Sequence, residues 1–265
     1  MDKKKKILII ITMILFAIVF FLSYLLFNKY VLKKNFENDM LSFANKNENI
    51  IFDIDKIVLF SNCDAKNKTS SLTNFTIENL YQYTDIALFI KSSSDEKNVK
   101  NTLKSVYIDN INFNSYPQAG EPKLYFKSLN NFAKSDILDE NLITDNFNFN
   151  ITSNDNADLN LPILYNNLAN PITLSYVNSN IKSDYTITDT SSPITYDGSL
   201  LKKCNVSLES IACNLSFDIY ITNNLDEEYK CTVYIDIPLE TEDKSIYDGN
   251  ITLRNNVNYT FYRYK

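Results

Sequence analysis

Apolar residues gather into one unbroken run near the start of the chain and thereafter fall at alternate positions. The run goes from Ile7 to Phe27, is interrupted only by Thr12, Ser23 and Tyr24, and contains no charge. Its 21 residues, at about 1.5 Å of helical rise each, span roughly 30 Å, the hydrocarbon thickness of a bilayer. Lys3 to Lys6 precede it, and Lys29, Lys33 and Lys34 follow. The pattern predicts cytoplasmic lysines and a single transmembrane helix within 1–34, with the span at 7–27 and the lipid bilayer as its partner. The competing reading is a cleaved signal peptide. Such peptides carry an apolar core of about 7–15 residues and a small-residue cleavage site. Here the run is longer, and Asn28-Lys29-Tyr30-Val31 offers no such site.

Past the run, Phe36 to Ala44 continues helical spacing as a polar stalk within 35–49. From Ile50 the period changes to two. Phe52, Ile54, Val58 and Phe60 alternate with Asp53 and Asp55, as on a strand with one wet face. Further strands are predicted at 75–80, 85–91, 105–113, 123–127 and 146–151. The polar turn after Lys91 suggests that Ile86–Ile90 and Val106–Phe113 form a hairpin. Residues 152–160, polar and without period, read as a linker between a first β domain at 50–151 and a second at 161–265. Beyond the linker come strands at 172–177 and 185–188, then the plainest hairpin of the chain. Leu215, Phe217, Ile219 and Ile221 point one way, Asn223 to Asp226 turn, and Tyr229, Cys231, Val233, Ile235 and Ile237 return. Pro238 stops the ladder because it has no N–H to donate. Last strands fall at 250–254 and 257–262. The fold class is mostly β: a transmembrane helix followed by two tandem sandwich-like domains. Two pairs of segments also resemble each other, Asp85–Asp109 with Asp218–Asp236, and Tyr196-Asp197-Gly198 with Tyr247-Asp248-Gly249.

Charge orients the helix. Residues 1–35 hold seven of the 26 basic residues and one of the 32 acidic ones. The remaining 19 and 31 leave the rest of the chain at a formal charge of −12. An acidic domain is repelled by the anionic inner leaflet and lacks the basic clusters that nucleic acid requires. The expected location is the cell membrane, single-pass, with the N-terminus cytoplasmic and the bulk of the chain extracytoplasmic. The abundance of Asn, Lys, Ile, Tyr and Phe over Gly, Ala and Arg also multiplies N-x-S/T triplets by chance, so those at Asn67, Asn74, Asn150, Asn205, Asn214, Asn250 and Asn258 do not by themselves argue for glycans.

Candidate chemistry is sparse. With no histidine, there is no imidazole base and no Ser-His-Asp arrangement. The three glycines stand alone at turns, so no phosphate loop exists. Asp53 with Asp55 is a carboxylate pair on the wet face of a strand. Asn154-Asp155-Asn156-Ala157-Asp158 offers oxygens at alternate positions but lacks the glycine and distal glutamate of a calcium loop. No cofactor or metal is expected. Of Cys63, Cys204, Cys213 and Cys231, the pair Cys204 and Cys213 would face each other if the chain turned at Leu208-Glu209, which makes them the candidate disulfide, beside free buried thiols as the alternative. Tyr259, Phe261, Tyr262 and Tyr264 crowd the last strand and place aromatic side chains on an outer face or against a partner. The resulting expectation is a non-enzymatic ectodomain that binds or scaffolds an envelope protein or polymer. An accessory subunit of a membrane complex, with Thr12, Ala17 and Ser23 at a helix interface, is the second reading. A hydrolase built on Asp53, Asp55, Asp155 and Asp158 is the third.

Overall fold

The computed structural model describes residues 3–44, 52–68, 74–92, 103–128, 131–134, 139–144, 147–149, 171–188, 194–255 and 259–263. They belong to two compact units, Met1–Asn49 and Ile50–Lys265. The described residues of the first unit form a single helix, α1 (Lys3–Ala44), 42 residues long and so about 63 Å from end to end. Neither proline nor glycine interrupts it, and it runs through the predicted stalk as far as Ala44. None of its described side chains is buried, and Thr12–Glu37 is long and apolar enough to cross a membrane. Lys33 and Glu37 pair across one turn at 3.7 Å.

The described residues of the second unit form eleven strands and a short helix. The strands are β1 (Phe52–Ala65), β2 (Phe75–Ser92), β3 (Leu103–Ser115), β4 (Glu121–Phe126), β5 (Phe147–Phe149), β6 (Ile172–Ile187), β7 (Cys213–Asn223), β8 (Glu228–Ile237), β9 (Ile251–Asn255), β10 (Tyr259–Thr260) and β11 (Tyr262–Arg263); the helix is α2 (Ser199–Lys203). A first sheet runs β10-β1-β2-β6-β4, with β9 also on the outer side of β1. A second sheet runs β11-β8-β7-β3-β5. Every pairing is antiparallel, and the inward side chains of the two sheets merge in one core. Across it the Phe52 ring meets that of Tyr229 edge-on at 5.3 Å.

The chain is therefore mostly β behind one apolar helix, but the division into tandem domains is corrected. β6, from beyond the proposed linker, lies between β2 and β4, while β3, from before it, pairs with β7. Both sheets interleave strands from the two halves, so neither half can close a core alone. The linker itself, 152–160, lies outside the described residues. The hairpin of Ile86–Ile90 with Val106–Phe113 is corrected for the same reason: β2 lies between β1 and β6, and β3 crosses to the other sheet.

The β7–β8 hairpin forms as its alternation dictates. All nine inward residues are buried, and Thr222 faces Glu228 at the turn. Buried Asn223 builds that turn, its Oδ1 accepting from the backbone N–H of Leu225 and of Glu227, each at 2.9 Å. In β1 the alternation breaks. A bulge between Ile54 and Lys56 adds one residue, so Ile57 and Leu59 face the core in place of Val58 and Phe60. One inserted residue reverses the facing of everything after it.

The last strand changes sheets. β10 pairs with β1, β11 pairs with β8, and fully buried Phe261 between them donates its N–H to the Phe52 carbonyl at 3.1 Å. The two echoing Asp-Gly turns meet in space. A Cβ at Gly198 would overlap the Ile246 and Gly249 carbonyl oxygens, so that close approach requires glycine.

Candidate binding face

The outward positions of β3, β7, β8 and β11 make one continuous face on the second sheet. The turn at Asn223 sets Tyr220 opposite Lys230 and Asp218 opposite Thr232. β3 then places Tyr107 beside Tyr220 and Asp109 beside Asp218, and β11 places Tyr262 beside Lys230. The result is a row, Tyr262, Lys230, Tyr220, Tyr107, across four strands. The rings of Tyr107 and Tyr220 are 5.7 Å apart, and the Lys230 ammonium stands 5.4 Å from the Tyr220 ring centre. At a strand spacing of about 4.8 Å the row is roughly 14 Å long.

Asp218 holds the row in place. One carboxylate oxygen accepts from Lys230 at 2.8 Å and from Asn110 Nδ2 at 2.6 Å, and the other accepts from Thr232 Oγ1 at 2.6 Å. Burial by itself would raise the carboxyl, but these donors and the lysine charge outweigh it, and the group sits below the usual 3.8. Lys230 is the mirror case: burial pulls the ammonium down, and Asp218 more than reverses this. Asn110 reaches Asp218 only because β3 bulges between Asp109 and Asn112 and Asn110 adopts a φ of 52°. A non-glycine residue in that region is a local cost retained where it aims a side chain. Beyond Asp218 the face continues with Tyr234, Asn112, Asn114, Asn214 and Asp236. Asn114 donates to Asn214 at 2.6 Å, and Asn214 donates to Asp236 at 2.5 Å. Tyr234 is 58% exposed.

At Asp109 and Asn110 the face runs into a groove of about 500 Å³ between β3 and β4, lined also by Phe113, Tyr116, Lys123 and Ile143. Tyr116 stands at its rim, 69% exposed, with its ring 5.5 Å from that of Phe113. Chemically, face and groove offer aromatic surface and a dense alternation of donors and acceptors. Asp218, held ionised by three donors, is unsuited to give up a proton near neutral pH.

The expected site residues disperse. Asp53 and Asp55 lie on β1 near one lysine: Lys91 pairs with Asp55 at 2.8 Å and also lowers Asp53, whose carboxyl is raised by burial against a Thr260 hydrogen bond and that lysine. They line no cleft. Asp155, Asp158 and Tyr264 lie outside the described residues. Of the terminal aromatics, Phe261 is core, Tyr262 joins the row, and the Tyr259 hydroxyl donates to the Tyr234 carbonyl at 3.1 Å. All four cysteines are buried free thiols. The hairpin that would set Cys204 against Cys213 is absent, because Cys204 ends α2, residues 209–211 turn as a 3-10 helix, and Cys213 opens β7. Among the described residues no three acids or cysteines converge as metal ligands.

Sequence reading missed Tyr107, Asn110, Asp218, Tyr220 and Lys230. Their signal lies in the β7–β8 hairpin itself, since its outward positions follow from the same count as the inward ones. It also missed the fully buried pair of Asp85 and Lys127 on the other sheet, 2.6 Å apart.

Comparison with protein-family models, with curated proteins and with solved structures returns no match to this chain.

Proposed function

We propose that the protein is a single-pass protein of the cell membrane, N-terminus cytoplasmic, that displays its sandwich outside the cell as a non-catalytic binding module for an envelope protein or polymer. The observation that carries this reading is the row of Tyr262, Lys230, Tyr220 and Tyr107, braced from below by Asp218. Rigid tyrosines among adaptable asparagines give large contact area at low entropic cost, which suits recognition. The formal charge of −12 outside residues 1–35 supports outward display, because such a domain gains nothing from the anionic inner leaflet.

Crosslinking intact cells of the source with a membrane-impermeant reagent tests this, followed by purification and mass spectrometry. Adducts on the sandwich support display, and a sandwich modified only after lysis refutes it.

A second reading, an accessory subunit of a membrane complex, draws on α1. Thr12, Phe16, Phe20, Ser23 and Phe27 lie along one stripe of that exposed helix, a spacing at which two helices can meet. Scrambling the apolar run at constant hydrophobicity separates the two: loss of cellular activity supports the subunit, and unchanged activity supports a tether.

A further inference from the structure

We infer that the outer face of the second sheet, with the groove it runs into, binds an uncharged polysaccharide. This rests on the proposed role as a displayed binding module and specifies its ligand.

Three features select that class. The first is what the face lacks. Its outward positions on β3, β7, β8 and β11 are Tyr, Asn, Asp, Ser, Thr, Glu and Lys, without an aliphatic side chain. A protein interface gathers its apolar area at a water-excluding centre, whereas on these strands that area is confined to the tyrosine rings and aliphatic side chains enter only in the groove. A sugar ring needs less, since its C–H face lies flat on an aromatic ring while its hydroxyls both donate and accept around the edge. The row supplies three tyrosines over roughly 14 Å, and amides and carboxylates flank it: Asn112, Asn114, Asn214 and Asp236.

The second is charge. Asp109, Asp218 and Asp236 share this face with Lys230, whose ammonium is already committed to Asp218 at 2.8 Å. The remaining field is acidic, so it repels nucleic acid, phosphate polymers and anionic lipid headgroups. A neutral polyol meets no such penalty, and its hydroxyls can donate to the open carboxylates.

The third is that the face is built and not merely left bare. Asp218 is 6% exposed, and the Asn110 bulge brings a further donor to it that also reaches the Tyr220 hydroxyl at 3.3 Å. The Tyr220 ring is thus fixed from Lys230 on one side and from Asn110 on the other. Preorganisation of that kind lowers the ordering cost of binding. The adjoining groove, about 500 Å³, extends the path beyond the row.

The test uses the full chain in detergent micelles, retained on insoluble β-1,4-glucan, β-1,3-glucan, mannan and chitin, with heparin as the polyanion control. Retention on at least one neutral polymer and none on heparin is expected. Tyr220→Ala and Tyr107→Ala should each weaken it roughly tenfold, and Tyr220→Phe, which keeps the ring, far less. Tyr234→Ala, at a position too exposed to disturb folding, should also weaken it. Failure on all four polymers, equal retention on heparin, or alanine variants that bind like the parent would each overturn the inference. A sandwich shielded from reagent in intact cells sinks the display reading whatever the polymers do. An accessible sandwich that retains no polymer sinks only this one.

Discussion

The Lys127 ammonium is buried 2.6 Å from the Asp85 carboxylate, on the side of the first sheet that faces away from the main core. Asp85 also accepts from Ser175 Oγ and from the Ala133 N–H, each at 2.6 Å, and Lys127 donates to the Lys134 carbonyl. The pair thus ties Lys127 and residues 131–134 to β2 and β6. Tyr83, Tyr125 and Val177 make a small apolar cluster beside it. A serine, a lysine and an aspartate within hydrogen-bonding reach are also the parts of a hydrolase. Here all three are enclosed and mutually satisfied, which makes the group a clasp.

Removing one half of the clasp leaves a buried charge without its partner. Lys127→Met, close in shape to lysine, should cost on the order of 3–5 kcal/mol of unfolding free energy. Asp85→Leu combined with Lys127→Met should recover only part of that loss, because no charge then remains to be desolvated but the Ser175 hydroxyl and the Ala133 N–H lose their acceptor. Urea unfolding followed by near-ultraviolet circular dichroism, which reports the tyrosines, measures both. A double variant no more stable than the single one would mean that the pair does more than neutralise itself.

Much of this architecture was legible in the sequence and some of it was not, for reasons that can be stated residue by residue. The apolar run of α1 and the β7–β8 hairpin are local: spacing alone determines which side chains face together. Strand partners of β2 and β3 are not local. A polar turn between two strands says that the chain reverses, not that it stays in one sheet. The bulge in β1 carries no apolar signature, yet it exchanges Val58 and Phe60 for Ile57 and Leu59. Asp85 and Lys127 are 42 positions apart, and each reads singly as an ordinary charge near a strand end. The face around Asp218 was within reach, since counting outward from Asn223 puts Tyr220 beside Lys230.

Acid should loosen the second sheet through Asp218. Its carboxyl is held below 3.8 in the folded protein, so its contribution to stability is complete above the unfolded value and is lost as pH falls through the folded one. Asp85 has the opposite sign, because burial raises its carboxyl in spite of Lys127 and folding then favours the protonated form as pH drops. The informative quantity is therefore the difference between the parent and Asp218→Asn. That difference should be largest near neutral pH and should shrink between about pH 5 and pH 3. A constant gap across that range would mean that Asp218 acts by shape and not by charge.

The thiols should behave as interior side chains. Burial, reinforced by the Asp64 charge, raises Cys63 well above its ordinary value, and burial with the nearby carboxylates of Asp218 and Asp53 pushes Cys231 up to about 12. Burial raises Cys204 and Cys213 too. Since the thiolate is the reactive form, maleimide should leave the folded protein unlabelled at neutral pH. In denaturant without reductant, mass spectrometry should find all four cysteines labelled. Two labels with Cys204 and Cys213 protected would restore the disulfide between them.

The C-terminal strand should act as the closing element of the sandwich. Phe261 is wholly buried where β10 leaves the first sheet and β11 joins the second, and its N–H is bonded to Phe52 at the start of β1. Arg263, two residues on, reaches Glu227 at 3.0 Å beside the β7–β8 turn. Phe261→Ala removes an aromatic plug from the seam between sheets and should cost about 3–5 kcal/mol. Tyr262→Ala, next along the chain but facing outward, should cost under half as much, since a partly exposed ring forfeits less burial. Limited proteolysis of the two variants, alongside their urea midpoints, distinguishes a seam from a mere tail. If Phe261→Ala is cleaved no faster than Tyr262→Ala, the sandwich is closed elsewhere and the C-terminal strand only decorates its edge.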